Sequence, residues 1–499
     1  MPNGIGDTDL TRQNTERSSY RGTTTLPIVP QLDITIEPEE RERLRAWAKH
    51  LLDNDSTLAR IPFEDRLRCG LSPHPSVIFE DHSNLVGVKA NEGQSYAYRG
   101  LMLAGEGDLF IKDEPRCLAF ERYCRDILGL GQVTVATVAP FADLSMTRRI
   151  LRDDRLLDEL AQHARLAGGL NLVPYMASGG AWAIAGNIAQ RSGVRVSVAA
   201  SPPRLTERAN DKLWFGARVG DVLGRQALPP AYRAYGPSAM IGLLRWLAKH
   251  YPSVAVKLPN SASSEGNFVF ESAQLLSMSA RQLMNEVMAT LDRSGWQRRF
   301  PVQVTAWERP ILASPSVQLW IPETITDDPV VEGVFEQRLT GRIARFSGAE
   351  PSALPELWTR RLAGEAGRLA FFLQQLGYVG RCSFDAIILG EDLEHAELHW
   401  IECNGRWGGV SIPMTLINRL TGDWTKRPFV VIDITSKEQQ AEPFSDFVTR
   451  MNAELYGVGG RENGVIVLSP TRIETGSGHL VAIVGKTIEE ARRLAHVSN

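Results

Sequence analysis

Three polar side chains with complementary chemistry follow one another at alternate positions in the segment HWIECNGRWGG. They are Glu402, Asn404 and Arg406, an acid, an amide and a guanidinium. Successive side chains of a β-strand point to opposite faces, so these three would share one face while Ile401 and Cys403 take the other. The segment therefore predicts a strand with one face for chemistry and one for packing.

A second acidic residue is expected to face this strand. Asp385 lies in the apolar run CSFDAIIL, and the turn GEDLEHAE then returns the chain to HWIECN, which predicts an antiparallel hairpin. The carboxylates of Asp385 and Glu402 can then converge, and Asn404 adds a neutral oxygen. Hard oxygen ligands that leave room for water and phosphate oxygens suit magnesium, although a solvated hairpin edge is the alternative. Arg406 would add a planar fork for a carboxylate or phosphoryl oxygen, or it would only form a salt bridge with one of the two acids.

Two lysines upstream could bind phosphate. Lys257 ends the short apolar run SVAVK and precedes the loop NSASSEGN, in which small residues would let backbone amides close over phosphate oxygens as a lid. A lone strand lysine is otherwise usually solvated, and Lys212, which begins a helix in NDKLWF, would by itself be read as a surface residue. The loop residues that we expect at the phosphates are Ser263, Ser264, Glu265, Gly266 and Asn267.

The elements around these residues belong to a large multidomain chain. At 499 residues it is too long for one ordinary core, and about three domains are expected. A net charge of −3 with 23% charged residues argues against a generally basic nucleic-acid binder. Five scattered cysteines lack metal-ligand spacing, and no run has the length or apolarity of a signal peptide or membrane span. We therefore expect a cytoplasmic protein that binds neither nucleic acid nor membrane.

The patterns along the chain indicate alternating strands and helices. GGLNLVPYMASGGAWAIAGNIAQRSGVRVSVAA is typical of a βαβ unit of a parallel sheet, and its ASGG turn would either approach a ligand or simply be tight. PVQVTAWERPILASPSVQLWIPE predicts two strands around a kink at Pro310 and Pro315. ELWTRRLAGEAGRLAFFLQQLG predicts an amphipathic helix ended by Gly377. The last seventy or so residues continue in α/β style.

The order of these motifs over roughly residues 205–425 resembles the ATP-grasp superfamily, in which two α+β subdomains hold ATP between them. In that family, a lysine of an NDK segment and one before the flexible loop contact phosphates, which implies Lys212 and Lys257. The strand between the subdomains binds the adenine edge and ribose, which implies Trp307, Glu308 and Arg309. The prolines in ERPILASPS and the lack of a carboxylate after Glu308 depart from the family pattern at the ribose.

The same resemblance gives roles to the hairpin residues. The acidic pair and the amide of the family hold two magnesium ions, which implies Asp385, Glu402 and Asn404. An arginine two positions on contacts the transferred phosphoryl group or the acyl phosphate, which implies that Arg406 is catalytic. ATP and two Mg²⁺ ions are thus the expected cofactors.

A narrower resemblance covers most of the chain after about residue 70. VIFEDHSNLVGVKANEGQSYAYRG, NDKLWF and ECNGRWGG, with a distinct C-terminal domain, are similar to the pheganomycin-type peptide ligases. This implies an ADP-forming ligase that joins an amino-acid carboxylate to a peptide amine, in the biosynthesis of a peptide antibiotic or related natural product. A ligase of two free amino acids, another small-molecule synthetase, or a nucleotide-binding protein without turnover are the alternatives, and a homodimer is left open.

The predicted fold is a multidomain α/β and α+β chain. The boundaries that we expect are a disordered tail over 1–30, an α/β domain over 31–204, the ATP-grasp domain over 205–425 and a small α/β domain over 426–499.

Overall fold

Strands and short helices alternate along the part of the chain that the computed structural model describes, which comprises residues 26–58, 65–83, 97–113, 115–139, 144–259, 266–434 and 440–497. The strands are β1 (Leu67–Cys69), β2 (Ser76–Phe79), β3 (Leu109–Asp113), β4 (Thr134–Val138), β5 (Leu170–Pro174), β6 (Val196–Val198), β7 (Ala231–Ala234), β8 (Ser253–Lys257), β9 (Asn267–Glu271), β10 (Val302–Ala306), β11 (Ile311–Ala313), β12 (Pro315–Ile321), β13 (Val330–Thr340), β14 (Arg345–Pro351), β15 (Gly380–Leu389), β16 (Glu397–Asn404), β17 (Phe429–Ile434), β18 (Gly464–Val467) and β19 (His479–Val484). The α-helices are α1 (Pro38–Asn54), α2 (Leu118–Arg122), α3 (Met146–Ile150), α4 (Asp154–Ala167), α5 (Gly179–Ser192), α6 (Pro203–Asn210), α7 (Lys212–Leu223), α8 (Pro237–Leu247), α9 (Ser272–Ser277), α10 (Ala280–Arg293), α11 (Glu356–Gln375), α12 (Ser411–Thr421), α13 (Phe444–Arg450), α14 (Thr471–Glu474) and α15 (Ile488–Val497).

The first sheet is parallel and has the strand order β1-β6-β5-β2-β3-β4. Strands β2 and β5 are buried along their whole length, as expected for a parallel sheet covered on both faces. The predicted βαβ unit is confirmed, because β5, α5 and β6 follow one another and the two strands pair in parallel. Side chains at helical spacing on α4 and α5, such as Leu160 and Ile188, fill the core beside it.

The second sheet is small and antiparallel, with the order β7-β10-β8-β9. Helices α8 and α10 cover one face, where Leu244, Val287, Val254 and Val304 pack together. Strand β10 ends at Ala306, and the chain then leaves this sheet. Residues 307–310 carry it to β11, at the edge of the third sheet.

The third sheet runs β11-β15-β12-β13-β14-β17-β19-β18, with β16 paired to β15. Helix α11 packs on it through its apolar stripe, and α1 packs against α11. The C-terminal strands β17 to β19 are continuous with this sheet through the pairing of β14 with β17. Gly348 is required at that join, because a Cβ atom there would lie 2.3 Å from the Val431 carbonyl oxygen.

Two predictions about the whole chain concern its domain boundaries and the absence of a membrane-spanning segment. The boundaries at 204/205 and 425/426 stay predictions, and the expected tail at the N-terminus lies almost wholly outside the described residues. Among the described helices, none combines the length and apolar character that crossing a membrane would require.

Candidate active site

The predicted hairpin is confirmed, and it brings the acidic pair together. Strands β15 and β16 pair antiparallel, with Asp385 directly opposite Glu402. The register shifts between Asp385 and Ala386, so that Ile401 is an extra residue in β16, a β-bulge. Cys403 is buried as expected, whereas Ile401 is only half-buried, so the prediction that Ile401 packs on the opposite face is wrong. The simple alternation fails there because the bulge interrupts it.

Asp385 is held by short hydrogen bonds on both carboxylate oxygens. Ser316 Oγ donates to Oδ1 at 2.6 Å, and Asn404 Nδ2 donates to Oδ2 at 2.9 Å. Gln318 Nε2 in turn donates to Ser316 Oγ at 3.0 Å. Burial and the nearby charge of Glu402 raise the pKa of Asp385. The two carboxylates therefore stand close in a site that favours a cation between them.

Lys212 forms an ion pair with Glu402. It is the first residue of α7, whose start is capped by the Asp211 side chain accepting from the Leu213 and Trp214 amides. Lys212 is only 5% exposed, and its Nζ lies 2.7 Å from Glu402 Oε2. Burial acts to raise the pKa of Glu402, but the charges of Lys212 and Arg406 outweigh it, and the pKa is lowered. The alternative of a surface position for Lys212 is wrong.

Lys257 is the second buried lysine of the site. It ends β8, is 7% exposed, and its Nζ lies 5.3 Å from the centroid of the Trp307 ring. Burial lowers the pKa of Lys257 to about 8, against the opposing attraction of Glu402. The solvated alternative is wrong here too, because the side chain is buried.

The predicted phosphate loop is described only at its end. Ser263, Ser264 and Glu265 lie outside the described residues. Gly266 accepts a hydrogen bond from the Leu258 amide at 2.9 Å, and Asn267 pairs with Lys257 across β8 and β9. The two ends of the loop therefore meet beside Lys257.

The predicted adenine and ribose residues form the connection between the second and third sheets. The Trp307 amide donates to the Ser253 carbonyl at 3.0 Å, which fixes the start of the connection to β8. Glu308 is turned toward β16, where its Oε2 lies 2.8 Å from His399 Nδ1. Arg309 is exposed.

Arg406 lies just beyond β16 and is hydrogen-bonded to Asn210, the last residue of helix α6. Its Nη1 donates to Asn210 Oδ1 at 2.7 Å, and the Gly405 amide donates to the same oxygen at 3.1 Å. The next amide, of Trp407, donates at 3.0 Å to the carbonyl of Tyr175, the residue that follows β5 of the first sheet. Within the described ranges Arg406 makes no ion pair with Asp385 or Glu402, so the salt-bridge alternative is not what the structure has.

Three residues that position this site were not predicted. Asn210 could have been found, since it precedes Asp211 and Lys212 in the NDK motif, and His399 opens the HWIECN segment. Ser316 gave no signal, because its partner Asp385 is on another strand and their pairing depends on the register of β12 with β15.

Comparison with known proteins gives one family match. Residues 97–190 match the family described as the Pre ATP-grasp domain. No curated protein matches the chain.

Solved structures that are similar to this chain include three enzymes. Biotin carboxylase from Campylobacter jejuni is 13% identical, with 83% of this chain and 88% of that one covered and a TM-score of 0.48. N5-carboxyaminoimidazole ribonucleotide synthetase from Thermus thermophilus is 14% identical over 85% and 97% of the two chains, with a TM-score of 0.46. D-alanyl-alanine synthetase A from Vibrio cholerae is 13% identical over 63% and 92%, with a TM-score of 0.39. Values this low assign no residue and no substrate.

The class of fold follows from the family match and the sheets together. A parallel α/β domain with the Pre ATP-grasp match precedes two α+β units that are joined by a short connection. The two buried lysines and the two half-buried acids lie where these units meet. This is the predicted multidomain ATP-grasp fold with an N-terminal domain.

Proposed function

We propose that this protein is an ATP-dependent, ADP-forming carboxylate–amine ligase. The observation that carries the proposal is the contact of Lys212 with Glu402, directly opposite Asp385 and close to Lys257. This contact places the lysines that we expect to bind phosphate next to the acids that we expect to bind magnesium. Two buried lysines beside two half-buried carboxylates form a cluster of mixed charge, and a metal–nucleotide complex, with its cations and phosphates, is a ligand that matches it.

The donor set fits magnesium. Asp385, Glu402 and Asn404 would supply oxygens from one face of the hairpin, and the raised pKa of Asp385 indicates that a cation there would be stabilised. Within the described residues no group of three His, Cys, Asp or Glu side chains is placed to hold a metal, so the amide and the phosphate oxygens would complete the coordination. Bound magnesium ions would offset the charge of the phosphates.

The chain's own residues then act on the reacting groups. The substrate carboxylate attacks the γ-phosphorus of ATP, ADP leaves, and an acyl phosphate forms; the amine next attacks the acyl carbon, loses a proton, and releases phosphate. Lys212 and Lys257 would hold the phosphate oxygens during the first step. Arg406, oriented by Asn210, would stabilise the acyl phosphate and the oxyanion of the adduct.

We further propose that the donor is an amino acid and the acceptor the amine of a peptide, in the biosynthesis of a peptide natural product in the cytoplasm. The support is the resemblance of the EDHS, NDKLWF and ECNGRWGG segments to the pheganomycin-type ligases. The hydrogen bond between Trp407 and Tyr175 supports an acceptor site shared with the first domain, because it brings the carboxyl end of β5 next to Arg406. Joining of two free amino acids is the second candidate, and a homodimer stays a prediction.

The test is ADP release, measured over a panel of amino acids, each with free amino acids or short peptides as amines. We expect release that needs a carboxylate and rises with peptide amines, together with a new amide in the products. Release only with free amino acids would favour the second candidate. ATP binding without carboxylate-dependent ADP release would instead indicate a binding protein without turnover.

A further inference from the structure

A buried histidine beside the connection between the two α+β units has no role in the reaction described above. The Nδ1 atom of His399 lies 2.8 Å from Glu308 Oε2, and its Nε2 lies 3.7 Å from Glu397 Oε2. The side chains of His399 and Glu308 are 7% and 12% exposed. A carboxylate only accepts hydrogen bonds, so Nδ1 is the donor and Glu308 is fixed through one of its two oxygens.

The β-bulge at Ile401 explains why this histidine lies on the same face as Glu402. Leu398 and Trp400 point into the core, and with unbroken alternation Glu402 would join them, on the face opposite His399. The extra residue reverses the alternation, so that Cys403 points to the core and His399 shares a face with Glu402. The histidine and the acidic site therefore lie on the same face of strand β16.

Lys257 relates the acidic pair to Glu308. Lys257 lies beside the connection that carries Glu308, because its Nζ is 5.3 Å from the centroid of the ring of Trp307, the preceding residue, and the charge of Glu402 acts on the same ammonium. In ATP the ribose is covalently attached to the phosphates, so a nucleotide whose phosphates meet Lys257 has its ribose close by. A carboxylate with one oxygen fixed by a histidine offers the other oxygen to a hydroxyl group of that sugar.

We propose that His399 is a positioning residue for nucleotide recognition, which holds Glu308 so that its carboxylate accepts hydrogen bonds from the ribose hydroxyls of ATP. The proposal rests on the proposed function, since it takes ATP as the ligand. It adds that the protein selects ribonucleotides over deoxyribonucleotides, and that this selection depends on a residue that does not itself touch the nucleotide. A histidine that only pins the connection between the sheets would support every nucleotide equally.

The experiment compares dissociation constants of a non-hydrolysable ATP analogue with those of its 2′-deoxy and 3′-deoxy forms. The wild-type protein should bind the ribonucleotide about tenfold more tightly than at least one deoxy form, the size of one charge-assisted hydrogen bond. His399→Leu should weaken ribonucleotide binding by the same factor and abolish the difference. His399→Asn, whose amide can replace the Nδ1 donor, should restore part of it.

Matched variants separate this role from a structural one. His395 is 78% exposed and lies 3.0 Å from Asp392, so His395→Leu removes a similar pair away from the cleft and should leave all three constants unchanged. Glu308→Gln should also lose the preference for the ribonucleotide over the deoxy forms. This variant replaces His399→Leu in the comparison if His399→Leu lowers the melting temperature too far. Equal wild-type affinities for all three nucleotides, or equal weakening of all three in His399→Leu, would overturn the proposal while leaving ATP as ligand. A wild-type protein that binds none of them would overturn the proposed function and this proposal with it.

Discussion

The ammonium of Lys212 lies 2.7 Å from Glu402 Oε2, so the first residue of helix α7 and the acidic strand β16 are joined at one point. The Lys212 amide also donates to the Pro259 carbonyl at 3.2 Å, which ties the same helix to the chain just after Lys257. Arrival of phosphates and metal would have to divide this ion pair, giving the lysine a phosphate and the acid a cation. Under the proposed function, each member of the pair would therefore occupy the place of a ligand charge for the other.

The first prediction concerns the charge of Glu402. Glu402→Gln should remove most turnover even at saturating magnesium, because the amide cannot supply the negative charge that the metal site needs. The melting temperature should change by only a few degrees, since the amide oxygen can still accept a hydrogen bond from Lys212. Glu394→Gln, in the exposed turn of the same hairpin, is the control. Near wild-type turnover of Glu402→Gln would reject the metal assignment.

A second prediction uses the lowered pKa of Lys257. Because burial lowers this pKa to about 8, the side chain is charged below that pH and neutral above it. The affinity for ATP should therefore fall as the pH rises through about 8, and titrations of the dissociation constant against pH will measure it. Lys257→Met should bind ATP weakly at every pH, and its affinity should not change near pH 8. Lys249→Met, which replaces an exposed lysine, should keep the wild-type dependence of affinity on pH. A wild-type affinity that is flat across this range would contradict the contact with phosphate.

Local patterns were sufficient to predict much of the site. The apolar runs on either side of the turn after β15 predicted the hairpin that brings Asp385 and Glu402 together, although the bulge at Ile401 breaks the alternation along HWIECN. The apolar run before Lys257 likewise predicted a strand that ends at that residue. These features depend on residues close together in the sequence.

Contacts between distant segments could not be predicted in the same way. The bulge at Ile401 is set by packing of both strands, and nothing in the sequence of β16 alone marks it. The bond from Trp407 to Tyr175 joins segments more than two hundred residues apart, and α1 packs on α11 although they are even further separated. Amphipathic patterns show that a face is buried but not which partner buries it.

The third prediction concerns the buried ion pair beside Trp407, the residue that follows Arg406. Arg381 is paired with Glu332, both almost fully buried, and its guanidinium carbon lies 4.8 Å from the centroid of the Trp407 ring. Glu332→Gln would leave the Arg381 charge without a counter-charge, so the free energy of unfolding should fall by about 3–5 kcal/mol. Urea unfolding will measure this.

The control for that variant is an exposed pair of the same types. Glu356 and Arg360 are both 75% exposed, and Glu356→Gln should change stability by less than about 1 kcal/mol. If the two substitutions lowered the free energy of unfolding equally, the buried pair beside Trp407 would stabilise the fold no more than the exposed pair does.

The last prediction separates the catalytic from the structural role of Arg406. As a clamp for the acyl phosphate, Arg406 acts after the nucleotide is bound, so Arg406→Lys should keep ATP affinity and lower turnover, because a point charge cannot reproduce two parallel hydrogen bonds. Loss of such a contact costs about 2.7–4 kcal/mol, or roughly a hundredfold to a thousandfold in rate.

A purely structural role predicts the opposite pattern for Arg406→Lys. The bond from Arg406 to Asn210 would then serve only to fix the chain after β16, and its loss would lower the melting temperature while the folded molecules turn over normally. Melting temperature, ATP dissociation constant and turnover should be measured on the same preparation, with Arg427→Lys, in a peripheral pair with Glu462, as the control. A destabilised variant with normal turnover would remove Arg406 from the catalytic residues, whereas a stable variant with unchanged ATP affinity and greatly reduced turnover would place its action after nucleotide binding.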